Sequence, residues 1–286
     1  AYKAGVLTMD RVVANQGNDF FKGSVSLDFT NALAAFDAVS SISPEAMEDV
    51  IYPPANLFGN RIKFAGETMV IARGCVDWRH MRTTDFEARL EAEHGTVPVG
   101  LIDNLTTTVT GKGADIRIQD AMFSIYGGQG SGDLSFRLDP HGQGIPYILD
   151  VALANVDFRK CLQFFRPDDD LAVSGNLTAD AHIESDFSGD FFEMTNGRGT
   201  VDVTDGQLAD LPLFRGFSRL MRKIIPSFSV FSINSLSGDI EINNGVFSSD
   251  NAYFDGDLLS AKGQGNYSRY SGFDAYIQAQ VFSANP

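Results

Sequence analysis

Three features of the 286-residue sequence predict a mainly β protein. Apolar and polar residues alternate in many short segments, which places the apolar side chains of each strand on one face. Glycine-containing pairs that favour chain reversal follow several of these segments. Helical spacing of apolar residues is confined to three short segments. We therefore expect an antiparallel hairpin meander that curls into an elongated half-open groove, with two or three short helices.

One pattern returns along the chain: glycine, alternating apolar residues, and then a turn-forming pair. It runs from Gly199 to Leu208 and again, with identical spacing, from Gly238 to Phe247. Two looser copies come earlier in the chain. Since Asn, Asp and Gly readily adopt positive φ, each pair is predicted to form a two-residue hairpin turn. The pairs are Arg73-Gly74, Asp120-Ala121, Asp205-Gly206 and Asn244-Gly245.

The clearest two-faced strand runs from Leu177 to Ile183. Its alternate residues are apolar, and the residues between them are Thr178, Asp180 and His182, followed by Glu184. A strand of this kind has one face against a core or ligand and the other in water.

The three helical segments lie between Asn31 and Ile51, from Phe158 to Phe165, and over about 211–225. The last is amphipathic, with Pro212 in its first turn and Pro226 after its end, and is expected to cap the groove. Its outer face is basic. These cations either complement the helix dipole and keep that face in water, or contact lipid phosphates or an acidic partner. They are Arg215, Arg219, Arg222 and Lys223.

The chain is expected to form one continuous β-groove module over residues 1–286, with a weak subdivision at 139–146, where Gly and Pro cluster. Cys75 and Cys161 are too isolated for a zinc or redox motif; free thiols are the simpler expectation, and a disulfide between them is the alternative. No segment has the apolar length of a membrane-spanning helix, and the first ten residues do not resemble a signal peptide. The chain is either a mature protein or a piece of a longer one.

Charge and motif content argue against several function classes. A net charge of −15 disfavours nucleic acid as a partner. The four histidines are scattered, the glycines of 127–132 miss the spacing of phosphate-binding loops, and no Gly-x-Ser-x-Gly elbow occurs. We expect a protein without catalytic activity, cofactor or metal. A carbohydrate-active β-sandwich enzyme is disfavoured because Trp78 is the only tryptophan.

The apolar face of such a meander must be covered. Either the sheet folds onto itself as a sandwich or closed barrel, or it forms an open trough that holds a ligand. Acyl chains suit a long apolar trough. The alternation predicts ten lining residues, each of which an ordinary closed core would explain as well: Leu177, Ala179, Ala181, Ile183, Val201, Val203, Ile240, Ile242, Ile277 and Ala279.

From about Gly127 to Val281 the sequence resembles the C-terminal region of AsmA-like proteins. The resemblance is carried by the run from Gly197 to Leu208 with the following Leu-Pro-Leu-Phe at 211–214, and by Ile240 to Phe247, Phe254-Asp255-Gly256 and Gly263-Gln264-Gly265. It implies a periplasmic module of a Gram-negative envelope protein, tethered to the inner membrane through a segment outside this chain. It also implies kinship with bridge-like β-groove proteins that carry phospholipids between the two membranes and support outer-membrane biogenesis. The family provides no catalytic residues.

A second hypothesis is a structural or assembly factor. Such a protein would present a sheet edge to a β-rich outer-membrane client or another envelope protein.

Overall fold

A computed structural model describes residues 2–3, 5–43, 62–97, 100–138, 144–165, 173–187, 191–208, 234–257 and 259–281. These residues form sixteen strands and two helices. The strands are β1 (Tyr2–Lys3), β2 (Val6–Gln16), β3 (Asp19–Asp28), β4 (Leu33–Ser40), β5 (Lys63–Asp77), β6 (Asp85–Val97), β7 (Gly100–Lys112), β8 (Asp115–Ile125), β9 (Gly128–Arg137), β10 (Pro146–Asp157), β11 (Ser174–Asp186), β12 (Asn196–Gln207), β13 (Ser235–Asn243), β14 (Val246–Asp255), β15 (Leu259–Ser268) and β16 (Gly272–Val281). The helices are α1 (Phe158–Phe165) and α2 (Phe191–Met194).

The strands follow one another in the sheet in the order of the sequence, from β1 to β16. The sheet is open, since this order begins and ends at different strands. The ladders from β1 to β8 and from β11 to β16 are antiparallel. The predicted mainly β antiparallel meander is therefore confirmed.

Of the four predicted hairpin turns, only Asn244-Gly245 is one. Both residues have positive φ, and the pair joins β13 to β14. Asp205 and Asp120 also have positive φ, but each lies inside a long strand next to a shift in register. They are β-bulge residues, so the prediction of turns there is wrong.

Arg73-Gly74 is likewise not a turn, because it lies inside β5. Gly74 stands opposite Phe36 on one side and Phe86 on the other. A Cβ at Gly74 would lie 2.3 Å from the carbonyl oxygen of Asp85 and 2.5 Å from the Cα of Phe86. The glycine therefore permits close approach of the β6 backbone.

The helix predicted from Phe158 to Phe165 is confirmed as α1. Asp157 caps it by accepting a hydrogen bond from the Lys160 amide at 3.1 Å. The other helix in the described residues, α2, is a single turn, so only one helix of more than one turn is present there, fewer than the two or three expected. Between Asn31 and Ile51, where the spacing predicts a helix, Leu33–Ser40 forms strand β4 instead, so the prediction is wrong there. Residues 44–51 and all of the helix at 211–225 lie outside the described residues.

The chain divides into two compact units. The first comprises residues 1–125, 130–149 and 186–189, and the second comprises 126–129, 150–185 and 190–286.

In the first unit, register places apolar residues of neighbouring strands opposite one another. Leu27 lies opposite Leu7 and Ala34, and Val25 lies opposite Met9 and Phe36. The same face continues through Ala72, Ala88 and Val109. Residues on the other face include the ion pair between Arg73 and Glu87, at 3.1 Å. This unit therefore has one apolar and one polar face.

A buried cluster lies on the apolar side of this unit. Its buried members are Met81, Ile116, Phe136 and Leu138. Phe187 packs edge-on against Phe136, with centroids 5.8 Å apart, and lies 4.4 Å from the ring of Tyr147. The Phe187 amide also donates to the Ile145 carbonyl. A short segment of distant sequence thus completes the core of this unit.

The loop that carries Met81 is held by a buried carboxylate. Asp77 accepts hydrogen bonds from the amides of Arg79 and His80, at 3.1 and 2.9 Å, and its own amide donates to Thr84 Oγ1 at 3.0 Å. Burial opposes ionisation of Asp77, but these amides outweigh it and hold the pKa of the carboxyl below its ordinary value. The ionised side chain therefore stabilises the loop.

Replacing Phe187 with alanine is expected to destabilise the first unit by about 2–4 kcal/mol, because two aromatic contacts are lost from a core. Hydrogen exchange at the amides of Phe136 and Tyr147 would report the loss as faster exchange. Phe158→Ala, in α1 of the second unit, is the control and should leave these amides unchanged. Equal protection in both variants would show that Phe187 is not part of this core.

Candidate functional site

All ten residues predicted to line an apolar face lie in the second unit, and register brings them to the same face. Residues directly opposite in an antiparallel pair share a face. In β11 and β12, Leu177 lies opposite Val203 and Ala179 opposite Val201. Ala181 and Ile183 lie opposite Gly199 and Gly197, which in turn lie opposite Ile240 and Ile242 of β13.

The same face extends across β14, β15 and β16. Val203 lies opposite Leu236, and Leu236 opposite Phe254. Phe254 lies opposite Ala261, and Ala261 opposite Ala279. A neighbouring row ends with Gly263 opposite Ile277. We call this set the apolar face; its members are the ten predicted residues with Gly197, Gly199, Leu236, Gly238, Phe247, Ala252, Phe254, Ala261, Gly263, Gly265, Tyr267 and Ala275.

Alternation in the sequence does not reveal the β15 part of the apolar face. Ala261 is followed there by Gly263, Gly265 and Tyr267, so three small residues hide the alternation. Gly263 and Gly265 are two residues apart, as are Ala275 and Ile277 of β16, which lie opposite them. This shared spacing is the one sequence signal for the β15 part of the face.

Burial of the apolar face is uneven. Leu177, Val203, Ile242, Phe254 and Ala261 are buried. Ala179, Ala181, Ile183, Val201, Ile240 and Ile277 are half-buried, and Ala279 is exposed. Ser249 also belongs to this face, opposite Gly265, and its buried hydroxyl has no hydrogen-bond partner among the described residues. Part of the apolar face is thus accessible to solvent.

The glycines of the apolar face are not equivalent. A Cβ at Gly199 would lie 2.2 Å from the carbonyl oxygen of Asp180 and 3.1 Å from the Cα of Ala181. At Gly263 the nearest atom would be 3.4 Å away, on the ring of Phe254, which is ordinary contact. Close approach of two strands therefore requires glycine at 199 but not at 263.

Gly199→Ala is expected to lower the free energy of unfolding by about 1–3 kcal/mol, since the methyl group meets backbone that cannot yield. Gly263→Ala is the matched variant on the same face and should stay within about 1 kcal/mol of the parent, because reduced entropy of the unfolded chain offsets small strain. Chemical denaturation of both variants provides the comparison. An equal effect would contradict the assignment of close strand approach to Gly199.

The opposite face of β11 to β13 is polar and acidic. His182 Nδ1 lies 2.6 Å from Asp150 Oδ1, and its Nε2 lies 3.5 Å from Glu184 Oε1. Arg198 stands directly opposite His182 on β12. Hydrogen bonding to Asp150, opposed by partial desolvation and reinforced by the charges of Asp150 and Glu184, raises the pKa of His182. Folding therefore favours the imidazolium form more than the unfolded chain does.

Because folding raises the pKa of His182, its protonated ring stabilises the folded protein. This stabilisation is complete at pH values below the pKa of histidine in the unfolded chain, and it is lost as the pH rises through the pKa in the folded chain. We therefore expect the His182 ring protons to titrate above the ordinary histidine midpoint in NMR spectra. Asp150→Asn should move the midpoint down, and Glu184→Gln should move it less because its contact is longer. An unchanged midpoint in Asp150→Asn would contradict this ion pair.

The remaining sequence predictions have different outcomes. The basic set Arg215, Arg219, Arg222 and Lys223 lies outside the described residues. Cys75 and Cys161 are both free thiols, as expected, and burial raises the pKa of the Cys161 thiol. In the described ranges, His, Cys, Asp and Glu side chains form no group of three or more that could hold a metal ion. None of the described helices has the length and apolar character required to cross a bilayer.

The fold and the register define a class of structure: an open antiparallel sheet with an apolar and a polar face in each unit. Comparison with protein-family models, with curated proteins and with solved structures finds no match.

Proposed function

We propose that this chain is a non-enzymatic, AsmA-like periplasmic module whose apolar face binds or conducts the acyl chains of phospholipids. The observation that supports this most directly is the continuity of the apolar face. It crosses six neighbouring strands, β11 to β16, without a charged side chain, and several of its members remain half-exposed.

Acyl chains fit this surface for physical reasons. Contiguous apolar surface in contact with water is unfavourable, and its burial contributes roughly 25 cal/mol per Å². The apolar face offers few hydrogen-bonding side chains: Ser249 and Tyr267 carry hydroxyl groups there, and the hydroxyl of Ser185, two residues after Ile183, already accepts a hydrogen bond from Thr195. A ligand held by such a surface gains affinity from dispersion and burial, and directional contacts contribute little. Binding should therefore discriminate poorly among lipid tails.

The proposal includes a half-open groove with head groups at its open side, in a module that lies between the inner and outer membranes and supports outer-membrane biogenesis. This part derives from the resemblance of residues 127–281 to AsmA-like proteins. Tethering to the inner membrane would use a segment outside this chain.

One observation favours the alternative of an assembly factor. In the described sheet, β16 is the last strand and pairs with β15 alone, through ten consecutive residues without a bulge. A regular edge of this kind can accept a strand from another protein. Under this alternative the client would bind the edge, and the apolar face would have no lipid.

A pair of variants on adjacent residues separates the two functions. Ile240→Gln places an amide on the apolar face, whereas Glu241→Gln places the same side chain on the polar face. We expect phospholipid in organic extracts of the purified parent and of Glu241→Gln, detected by mass spectrometry. Ile240→Gln should retain severalfold less, because its amide would be desolvated by a bound tail.

Circular dichroism would verify that both variants keep the β fold. Extracts free of lipid, together with no uptake of a fluorescent phospholipid by the parent protein, would overturn the lipid proposal. Equal retention by the two variants would show that lipid is bound elsewhere.

A further inference from the structure

The polar side of the second unit changes character along the sheet. On β11 to β13 it carries Asp180, His182, Glu184, Arg198, Asp202, Asp239 and Glu241. Between residues 259 and 281 the only charged residues are Lys262, Arg269 and Asp274. On β14 the polar side also carries Asp255, opposite Ser260. The polar side of β14 to β16 thus holds two carboxylates, Asp255 and Asp274, and one cation, Lys262, and is much less acidic than that of β11 to β13.

Amide and tyrosine side chains replace the charges there. Tyr253 of β14 lies opposite Lys262 of β15, and Lys262 lies opposite Gln278 of β16. In the next rows Gln264 lies opposite Tyr276, and Asn266 opposite Asp274. We call Tyr253, Lys262, Gln264, Asn266, Tyr276 and Gln278 the neutral patch. Four of the eight tyrosines of the chain lie between residues 253 and 276.

The neutral patch differs from the acidic half in how its polar groups are used. On the acidic half, side chains bond to one another, as in Asp150 with His182, Asp180 with Thr200, and Asn251 with Asp239. Within the described part of the chain, the side chains of the neutral patch make no hydrogen bond or ion pair with another residue. Their donors and acceptors are open to an external ligand.

The aromatic members are exposed, Tyr253 by 38% and Tyr276 by 66%. Tyr276 lies on the second strand from Tyr253 and is displaced from it by two residues along the strand. Strand spacing and rise per residue place their Cα atoms about 12 Å apart. Gln264, Lys262 and Gln278 fill the space between them. Two aromatic rings with hydrogen-bonding groups between them match a ligand that alternates apolar faces with polar edges.

We infer that the neutral patch binds a neutral glycan. A pyranose ring has an apolar C–H face, which packs on the electron-rich face of an aromatic ring, and hydroxyl groups around its edge. Glutamine and asparagine amides can both donate to and accept from such hydroxyls. The near-zero charge of the patch suits an uncharged ligand, while the neighbouring acidic strands repel polyanions and phosphate-rich surfaces. This inference is independent of the lipid proposal, since it uses the opposite face of the sheet.

The test uses the full chain, labelled with ¹⁵N, and chitohexaose as a neutral glycan probe. Side-chain amide resonances of Gln264 and Gln278 should shift on titration. The double variant Tyr253→Ala with Tyr276→Ala should weaken binding roughly tenfold or more, since each ring stack is worth up to about one factor of ten. Tyr270→Ala, which removes an exposed tyrosine from the neighbouring turn, is the matched control and should bind like the parent.

Exposed tyrosines are unlike core residues, so both variants should fold, and backbone spectra would verify this. Gln278→Ala is a second variant for the same titration, and it should weaken binding of chitohexaose although both tyrosines are intact. The inference is overturned if no resonance of the neutral patch shifts, if the double variant binds like the parent, or if the same resonances shift equally with phosphatidylcholine vesicles.

Discussion

Strand register is the constraint on which the two faces of this protein depend. Side chains alternate with a period of two, so a slip of one residue would exchange the faces of a whole strand. Where two successive apolar residues of a strand are an odd number of positions apart, a β-bulge between them keeps both side chains on the same face of the sheet. In β2 the apolar positions run Leu7, Met9 and then Val12, and the register shift between Met9 and Val12 returns them all to the face of Val25 and Leu27. In β14 a shift between Ser249 and Ala252 does the same for Phe247 and Phe254.

Alternation in the sequence predicts most of this arrangement, because period-two patterning reports directly on which side of a strand each residue lies. It revealed β11 and the ten residues of the apolar face, and helical spacing revealed α1. The sequence pattern gave wrong predictions where β-bulges and hairpin turns are formed by the same residue types. Asp205-Gly206 and Asn244-Gly245 have matching local sequence, yet the first is a bulge and the second a turn. Positive φ is common to both, and only the pairing partner, here Ser174 and Asn176 of β11, decides between them.

The contribution of Phe187 to the first unit lay beyond sequence reasoning for a different reason. Its partners Phe136 and Tyr147 are 51 and 40 positions earlier, and no local period links them. Strand faces follow from local rules, whereas the residue that completes a core depends on where distant segments meet. Glycines are a similar case: the pattern predicts that Gly74 forms a turn and that Gly199 begins a strand pattern, but at both positions the backbone of an adjacent strand leaves no room for a Cβ.

The order of the strands in the sheet has a consequence for how the chain folds. Each strand pairs with the segments made just before and just after it, so the chain can add one hairpin at a time to an existing edge. Few long loops need to close before favourable contacts form, which keeps the entropic barrier low. Such a chain can begin to fold while it is still being synthesised or translocated. The cost is that every intermediate exposes an unpaired strand, and a chaperone that covers this growing edge would protect it from aggregation.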